Sequence, residues 1–304
     1  MRAIDLFAGL GGFSEGAEQA GCQVVWAANH WPAAVQVHAN NHPATAHVCQ
    51  DLQQADWTQV PAHDLLLASP ACQGHTRARG KERPHHDATR ATAWAVVSAL
   101  ECHRPPLGLI ENVPEFTRWQ LFPAWCSAIN ALGYAISPHL VDAADHGVPQ
   151  NRERVLIALT RSKHPIQLAL PRREHVPSAS IIDFDAGRWS AVEKPGRSAA
   201  TLLRVQNGRR QFGARFLAPY YGGGSGLTGR SLHRPVGTIT TRARWSLIDG
   251  DRMRMLTVDE QRKAMGFPDG YSLPSDIPQA IHMLGNAVCP PVVRDVIEAL
   301  RAAA

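Results

Sequence analysis

No stretch of the chain is apolar for long enough to cross a membrane, and no apolar leader is expected ahead of the first element, because "MRAIDLFAGLGG" already reads as a strand and turn. Cysteine is sparse and irregularly placed: six residues, at 22, 49, 72, 102, 126 and 289, form no C-x-x-C pair. That spacing argues against a disulfide framework and a structural zinc site, and points to a reducing cytoplasm. There is no internal repeat and no low-complexity tract. Against these absences stand 304 residues, 44% of them hydrophobic and 19% charged, enough for one large domain or a large and a small one. The net charge of +5, with 15 histidines besides, leans toward polyanionic partners without establishing one.

The first half alternates strands and helices. "AIDLFA", "QVVWAAN", "AHVCQDL", "HDLLLAS", "PLGLIENV" and "RVLIALT" read as strands. "FSEGAEQAG", "PAAVQVHANN", "ATAWAVVSALECH" and "PAWCSAINALGY" read as helices between them. This rhythm implies an α/β fold, a doubly wound, mostly parallel Rossmann-like sheet. From 162 to 234 Gly, Pro and Arg dominate, as in "NGRRQFGARF" and "YYGGGSGLTGR", and a second, smaller domain rich in irregular loops is expected, with Phe212, Phe216, Tyr220 and Tyr221 as its core. The expected division is a main domain over 1–161, the small domain over 162–234, and a return segment over 235–304 that completes the main domain. Thr257 and Glu260 form a capping-box pattern ahead of "VDEQRKAMGF", and "PPVVRDVIEALRAAA" reads as a helix started by prolines.

In such a sheet ligands bind at the carboxyl ends of strands. "DLFAGLGGFSEG" is a glycine turn there, without the Lys and Ser/Thr of a P-loop; it suits a nucleotide, S-adenosylmethionine or tight packing alone. Cys72, in "LLLASPACQGHTRARGK", follows an apolar run and precedes a basic one; as a residue it could be an inert thiol, a metal ligand or a nucleophile. His75, His85 and His86 lack ligand spacing and a partner carboxylate, so no metal is expected.

Six segments, "DLFAGLGGFSEG", "ASPACQGHT", "LIENV", "GVPQNRERV", "RPVGTITT" and "GNAVCPPV", resemble in order the motif set of the DNA cytosine-5 methyltransferases, from Asp5 to Val292. The 162–234 region falls where that family carries its target-recognition domain. The resemblance implies methyl transfer from S-adenosylmethionine to C5 of a flipped cytosine in a specific site of duplex DNA. It makes Cys72 the nucleophile, Glu111 the acid toward cytosine N3, and Arg152 and Arg154 supports for base and loop. Two arginines two apart on an extended segment point to one side. Phe7, Gly9, Gly11, Gly12, His30, Trp31, Asp51 and Asn286 map to cofactor positions. Gln73, Arg77, Arg79, Lys81, Gln150, Arg209, Arg210 and Arg215 map toward DNA. A cytoplasmic monomer of bacterial or phage origin is expected, with room for a cognate restriction endonuclease acting separately.

The chain departs from the family in three places. Ala71 precedes the cysteine where the family has proline, so a looser loop is expected. His30 stands where a glutamate binds the ribose hydroxyls, and Ala287 replaces a small hydroxyl residue after Asn286. Two alternatives stay open: a tRNA cytosine-5 methyltransferase of the same family, and a catalytically impaired relative that only binds DNA.

Overall fold

The computed structural model describes residues 1–71, 90–220 and 226–303. They fall into two compact units. The first comprises 1–142, 153–172 and 287–304; the second comprises 143–152 and 173–286.

The first unit is built on a seven-stranded sheet ordered β3-β2-β1-β4-β5-β7-β6. Its strands are β1 (Arg2–Leu6), β2 (Gln23–Asn29), β3 (Ala46–Cys49), β4 (Leu65–Ala68), β5 (Leu107–Asn112), β6 (Ala135–Asp142) and β7 (Glu153–Thr160). Helices α1 (Gly12–Gln19), α2 (Pro32–Asn41), α3 (Ala93–His103) and α4 (Phe122–Ala131) connect them. The expected doubly wound sheet is present. β4 and β5 are buried at every position, which is why they read as continuous apolar runs rather than alternating ones. Strands β3 through β5 run parallel, while β7 pairs antiparallel with both β5 and β6. No crossover helix separates β6 from β7, and strands joined without one run antiparallel. β6 escapes the sequence reading because Pro138 and Ser137 interrupt its apolar pattern; it is an edge strand, where a proline is tolerated.

The chain returns to this unit at Ala287, not near 235, and ends in α8 (Pro290–Ala303). Val293, Val296, Ile297 and Leu300 recur at helical spacing and are fully buried, each contributing about 1.5–3 kcal/mol. α8 lies so close to α1 that a Cβ on Gly12 would collide with the Val288 backbone, and one on Gly16 with Pro290 and Val293.

The second unit is more regular than its composition implies. An antiparallel sheet ordered β8-β11-β10-β9 uses β8 (Ser190–Ala191), β9 (Arg215–Pro219), β10 (Trp245–Asp249) and β11 (Arg252–Met255). A long helix, α5 (Ala199–Phe212), packs on it through Val205, Leu202 and Phe212 against Phe216, Ile248 and Met253. Ser198 caps α5 by accepting from Thr201 N–H. The segment 235–286, expected in the main domain, clusters here and carries α6 (Val258–Ala264) and α7 (Ile277–Asn286). Thr257 and Glu260 form the anticipated capping box on α6.

Candidate active site

The topology of the first unit creates a crevice. From β1 the chain winds outward through β2 and β3, then returns to β4 on the other side of β1, so the connections diverge at the carboxyl ends of β1 and β4. At the end of β1, Phe7 takes a left-handed backbone (φ 63°), as do Gly9 and Gly11 (φ 54° and 98°). For a bulky side chain this is strained by about 1–3 kcal/mol, a feature that concentrates at ligand sites. Ser69 Oγ donates to the Phe7 carbonyl at 3.4 Å, tying the two strand ends together.

β4 delivers Pro70 and Ala71 to this edge, and Cys72 follows directly. Cys72, Gln73, Arg77, Arg79 and Lys81 lie outside the described residues, as do His75, His85 and His86. What precedes them is held firmly: Asn112 Nδ2 donates to the Pro70 carbonyl (3.1 Å), and the Ala71 N–H donates to Thr92 Oγ1 (3.1 Å). The looser junction expected of Ala71 is therefore offset, because the amide that proline would lack is bound. Neither Asn112 nor Thr92 stood out in the sequence as partners of this segment; each sits more than twenty residues away.

Glu111 lies beside that junction. β4 and β5 are in parallel register with Ala68 opposite Ile110, so Glu111 reaches the same edge one residue later. It is 7% exposed, and Arg154 Nε lies 2.9 Å from its Oε1. The antiparallel register of β7 places Arg154 there. Arg152 reaches backbone carbonyls elsewhere. It belongs to the second unit, where it is buried and donates to the Ile239 and Gly285 carbonyls, 2.9 Å each. The strand begins at Glu153, so Arg152 lies just ahead of it while Arg154 lies within it.

On the other side of β1, Gly11 begins α1 with no side-chain cap, leaving the first-turn amides for a carboxylate or water. Gly12 faces α8, which makes close packing its main requirement. His30 is exposed at the end of β2, and Trp31 precedes Pro32 of α2 half-buried, its N–H bound to Asn29 Oδ1. Asp51 is exposed and caps a 3₁₀ turn by accepting from Gln53 N–H. Asn286 ends α7 rather than starting a helix, and its amide contacts His282 at 3.1 Å.

Beneath the glycine turn runs a polar chain that sequence reasoning missed. Ser14 Oγ donates to Asp5 Oδ2 (2.8 Å), so its oxygen must accept from His38 Nε2 (3.0 Å). His38 Nδ1 lies 2.8 Å from His47 Nε2, a further hydrogen bond in the chain. Asp5 is wholly buried, and its Oδ1 has no hydrogen-bond partner. Burial holds the His47 imidazolium pKa below its ordinary value, and repulsion from His38 and His42 adds to this. Among the described residues, Glu15, Glu18 and His42 bring potential ligand atoms within 4.8 Å of one another; His42 Nδ1 is already within hydrogen-bond distance of Glu18 Oε2 (3.0 Å).

The residues expected at DNA behave differently from one another. Gln150 is wholly buried in the second unit: its Nε2 donates to the Ala264 carbonyl, and its Oε1 accepts from Ile239 N–H. It is a structural hub, which corrects its assignment to DNA. Arg209 binds Asp251 and the Gly250 carbonyl; Arg215 binds Asp249 and lies 4.4 Å over the Phe184 ring. Arg210 is exposed near the end of α5.

The chain matches the family described as C-5 cytosine-specific DNA methylase over residues 1–194 and 205–302. It is 28% identical to Type II methyltransferase M.NlaX of Neisseria lactamica, over all of this chain and 97% of that protein. Type II methyltransferase M.HhaI of Haemophilus parahaemolyticus is 25% identical, over 95% of this chain and 90% of its own. Among solved structures, a prophage-encoded protein of E. coli described as a DNA modification methyltransferase superposes with a TM-score of 0.74 at 18% identity, covering 100% of this chain and 99% of that one. At that identity the likeness speaks for the fold.

Proposed function

The chain belongs to the C-5 cytosine-specific DNA methylases, and on that premise we propose that it methylates C5 of a flipped cytosine within one short duplex DNA site, using Cys72 as nucleophile. The observation that carries this reading is the meeting of two strand ends: β4 ends at Ala68 and the chain runs through Pro70–Ala71 straight into the cysteine, and β5 brings the Glu111–Arg154 pair to the same edge.

C5 of cytosine is too weak a nucleophile to take a methyl group unaided. Addition of the Cys72 thiolate at C6 moves the ring electrons toward N3 and C5, where Glu111 relieves N3 by hydrogen bonding or proton donation. C5, now nucleophilic, would attack an electrophilic methyl group; transfer of the C5 proton to a water molecule with expulsion of the Cys72 thiolate from C6 then restores the aromatic ring. Arg154 keeps the Glu111 carboxyl aimed and charge-balanced. Extrusion of the base from the duplex opposes the reaction by a few kcal/mol, which the basic segment after Cys72 would offset.

S-adenosylmethionine, when bound, supplies an electrophilic methyl group. The donor set suits it: the uncapped start of α1 offers amides to its carboxylate, beside Phe7, Gly9 and Gly11. Trp31 would face the adenine, Asp51 its amino group and His30 the ribose. The relatives' names suggest a Type II restriction–modification setting.

The test offers labelled S-adenosylmethionine with mixed-sequence duplex DNA and, separately, tRNA. 5-Methylcytosine in DNA supports the reading; label only in tRNA selects the tRNA enzyme, and label in neither leaves a DNA-binding relative. Sequencing of methylated host DNA would then supply the target.

A further inference from the structure

The amide of Ala71 and the hydroxyl of Thr92 form a bond that no motif in the chain announces. Thr92 stands just ahead of α3 with helical dihedrals (φ −58°, ψ −25°) rather than the extended ones of a capping residue. It makes no side-chain cap. Its oxygen accepts instead from the Ala71 N–H, twenty-one residues away along the chain, at 3.1 Å. On the opposite side Asn112, whose own Oδ1 accepts from Val113 N–H, holds the Pro70 carbonyl. The Pro70–Ala71 peptide is thus gripped at both its carbonyl and its N–H, from β5 and from the start of α3.

We infer that Thr92 is a positioning residue for the Cys72 nucleophile, acting through the Pro70–Ala71 peptide that leads into it; this rests on Cys72 being the nucleophile. The thiol must approach C6 along one line, and a misplacement of about 1 Å in such a site can lower a rate about a hundredfold. Alanine restricts its own backbone far less than proline does, so the direction of the chain at 71 must be set by a partner. Thr92 is the partner, and because it begins a helix packed through Val96, Ala99 and Leu100 into the main core, it is a rigid one. The bond also ties helix position to thiol position.

Thr92→Val keeps shape and removes the acceptor, whereas Thr92→Ser keeps it. The rate of covalent trapping on duplex DNA containing 5-fluorocytosine, and kcat with KM for S-adenosylmethionine, are measured for each. Thr92→Val should lower the trapping rate and kcat about fivefold, the scale of one hydrogen bond, with KM for S-adenosylmethionine and the melting temperature unchanged. Thr92→Ser should restore both rates. In an Ala71→Pro background, which has no N–H to bind at that position, Thr92→Val should have no further effect. Wild-type trapping by Thr92→Val, or an undiminished effect of it in the Ala71→Pro background, would overturn the inference. A Cys72→Ser variant that still traps DNA would instead overturn the choice of nucleophile, and the clamp with it.

Discussion

Arg154 holds Glu111: its Nε lies 2.9 Å from the carboxylate Oε1, and both side chains are largely buried. β5 and β7 lie antiparallel with Glu111 opposite Leu156, so the arginine comes from the neighbouring strand end rather than from the same motif. Removing one member of such a pair leaves the other buried without its charge partner. Arg154→Met is therefore expected to destabilise the fold by about 3 kcal/mol in denaturant titration. The Glu111→Gln/Arg154→Met double variant should recover part of that loss. Glu111→Gln alone should depress kcat while leaving KM for S-adenosylmethionine in place; normal kcat in that variant would remove the glutamate from the chemistry.

Stability should fall in mild acid. Burial lowers the pKa of His47, His63 and His139 from an ordinary 6.5. A base with a depressed folded pKa favours the neutral form, so its contribution is complete above the unfolded value and declines as pH falls through the folded one. Unfolding free energies at pH 7.5 and pH 5.5 should therefore differ, the lower pH being less stable. Equal values at the two would contradict the burial of these rings.

Gly12→Ala tests whether the glycine turn serves packing as well as ligand. The added carbon would meet the Val288 carbonyl at the junction with α8, and overpacking of this kind is destabilising by about 1–3 kcal/mol. Thermal unfolding reads the effect without cofactor. Gly21→Ala, where nothing lies within 4 Å but φ is 74°, separates backbone strain from collision and should lose less.

One face of α5 holds the described residues on either side of 221–225. Arg204 donates to the Pro219 and Gly226 carbonyls (3.0 and 3.1 Å), and Asn207 donates to the Leu227 carbonyl (2.7 Å). Arg204→Ala is expected to broaden the set of methylated sequences, read by sequencing of modified DNA, without moving KM for S-adenosylmethionine. An unchanged sequence preference would separate these flanks from recognition.

The second unit shows where composition misled. Gly and Arg in "NGRRQFGARF" suggested loops, yet Gly208 lies within α5 because a side chain there would strike Phe216. The arginines, expected toward DNA, pair with acidic residues distant in the chain: Arg209 with Asp251 and Arg215 with Asp249. Conversely, the Thr257–Glu260 cap was legible because all its partners lie within one helical turn.

That contrast divides what the chain alone determined from what folding decided. Strand and helix order in the main unit, the glycine turn, the capping box and the ordered motifs follow from local patterns: apolar periodicity, backbone freedom at glycine and short-range hydrogen bonding. The Glu111–Arg154 pair, the bond from Ala71 to Thr92, the burial of Gln150 and the His47–His38–Ser14–Asp5 chain each join residues from different elements. Their partners depend on which strands lie side by side and in what register. Sheet order and register arise when apolar faces are buried together across long separations, so only the tertiary structure could choose these contacts.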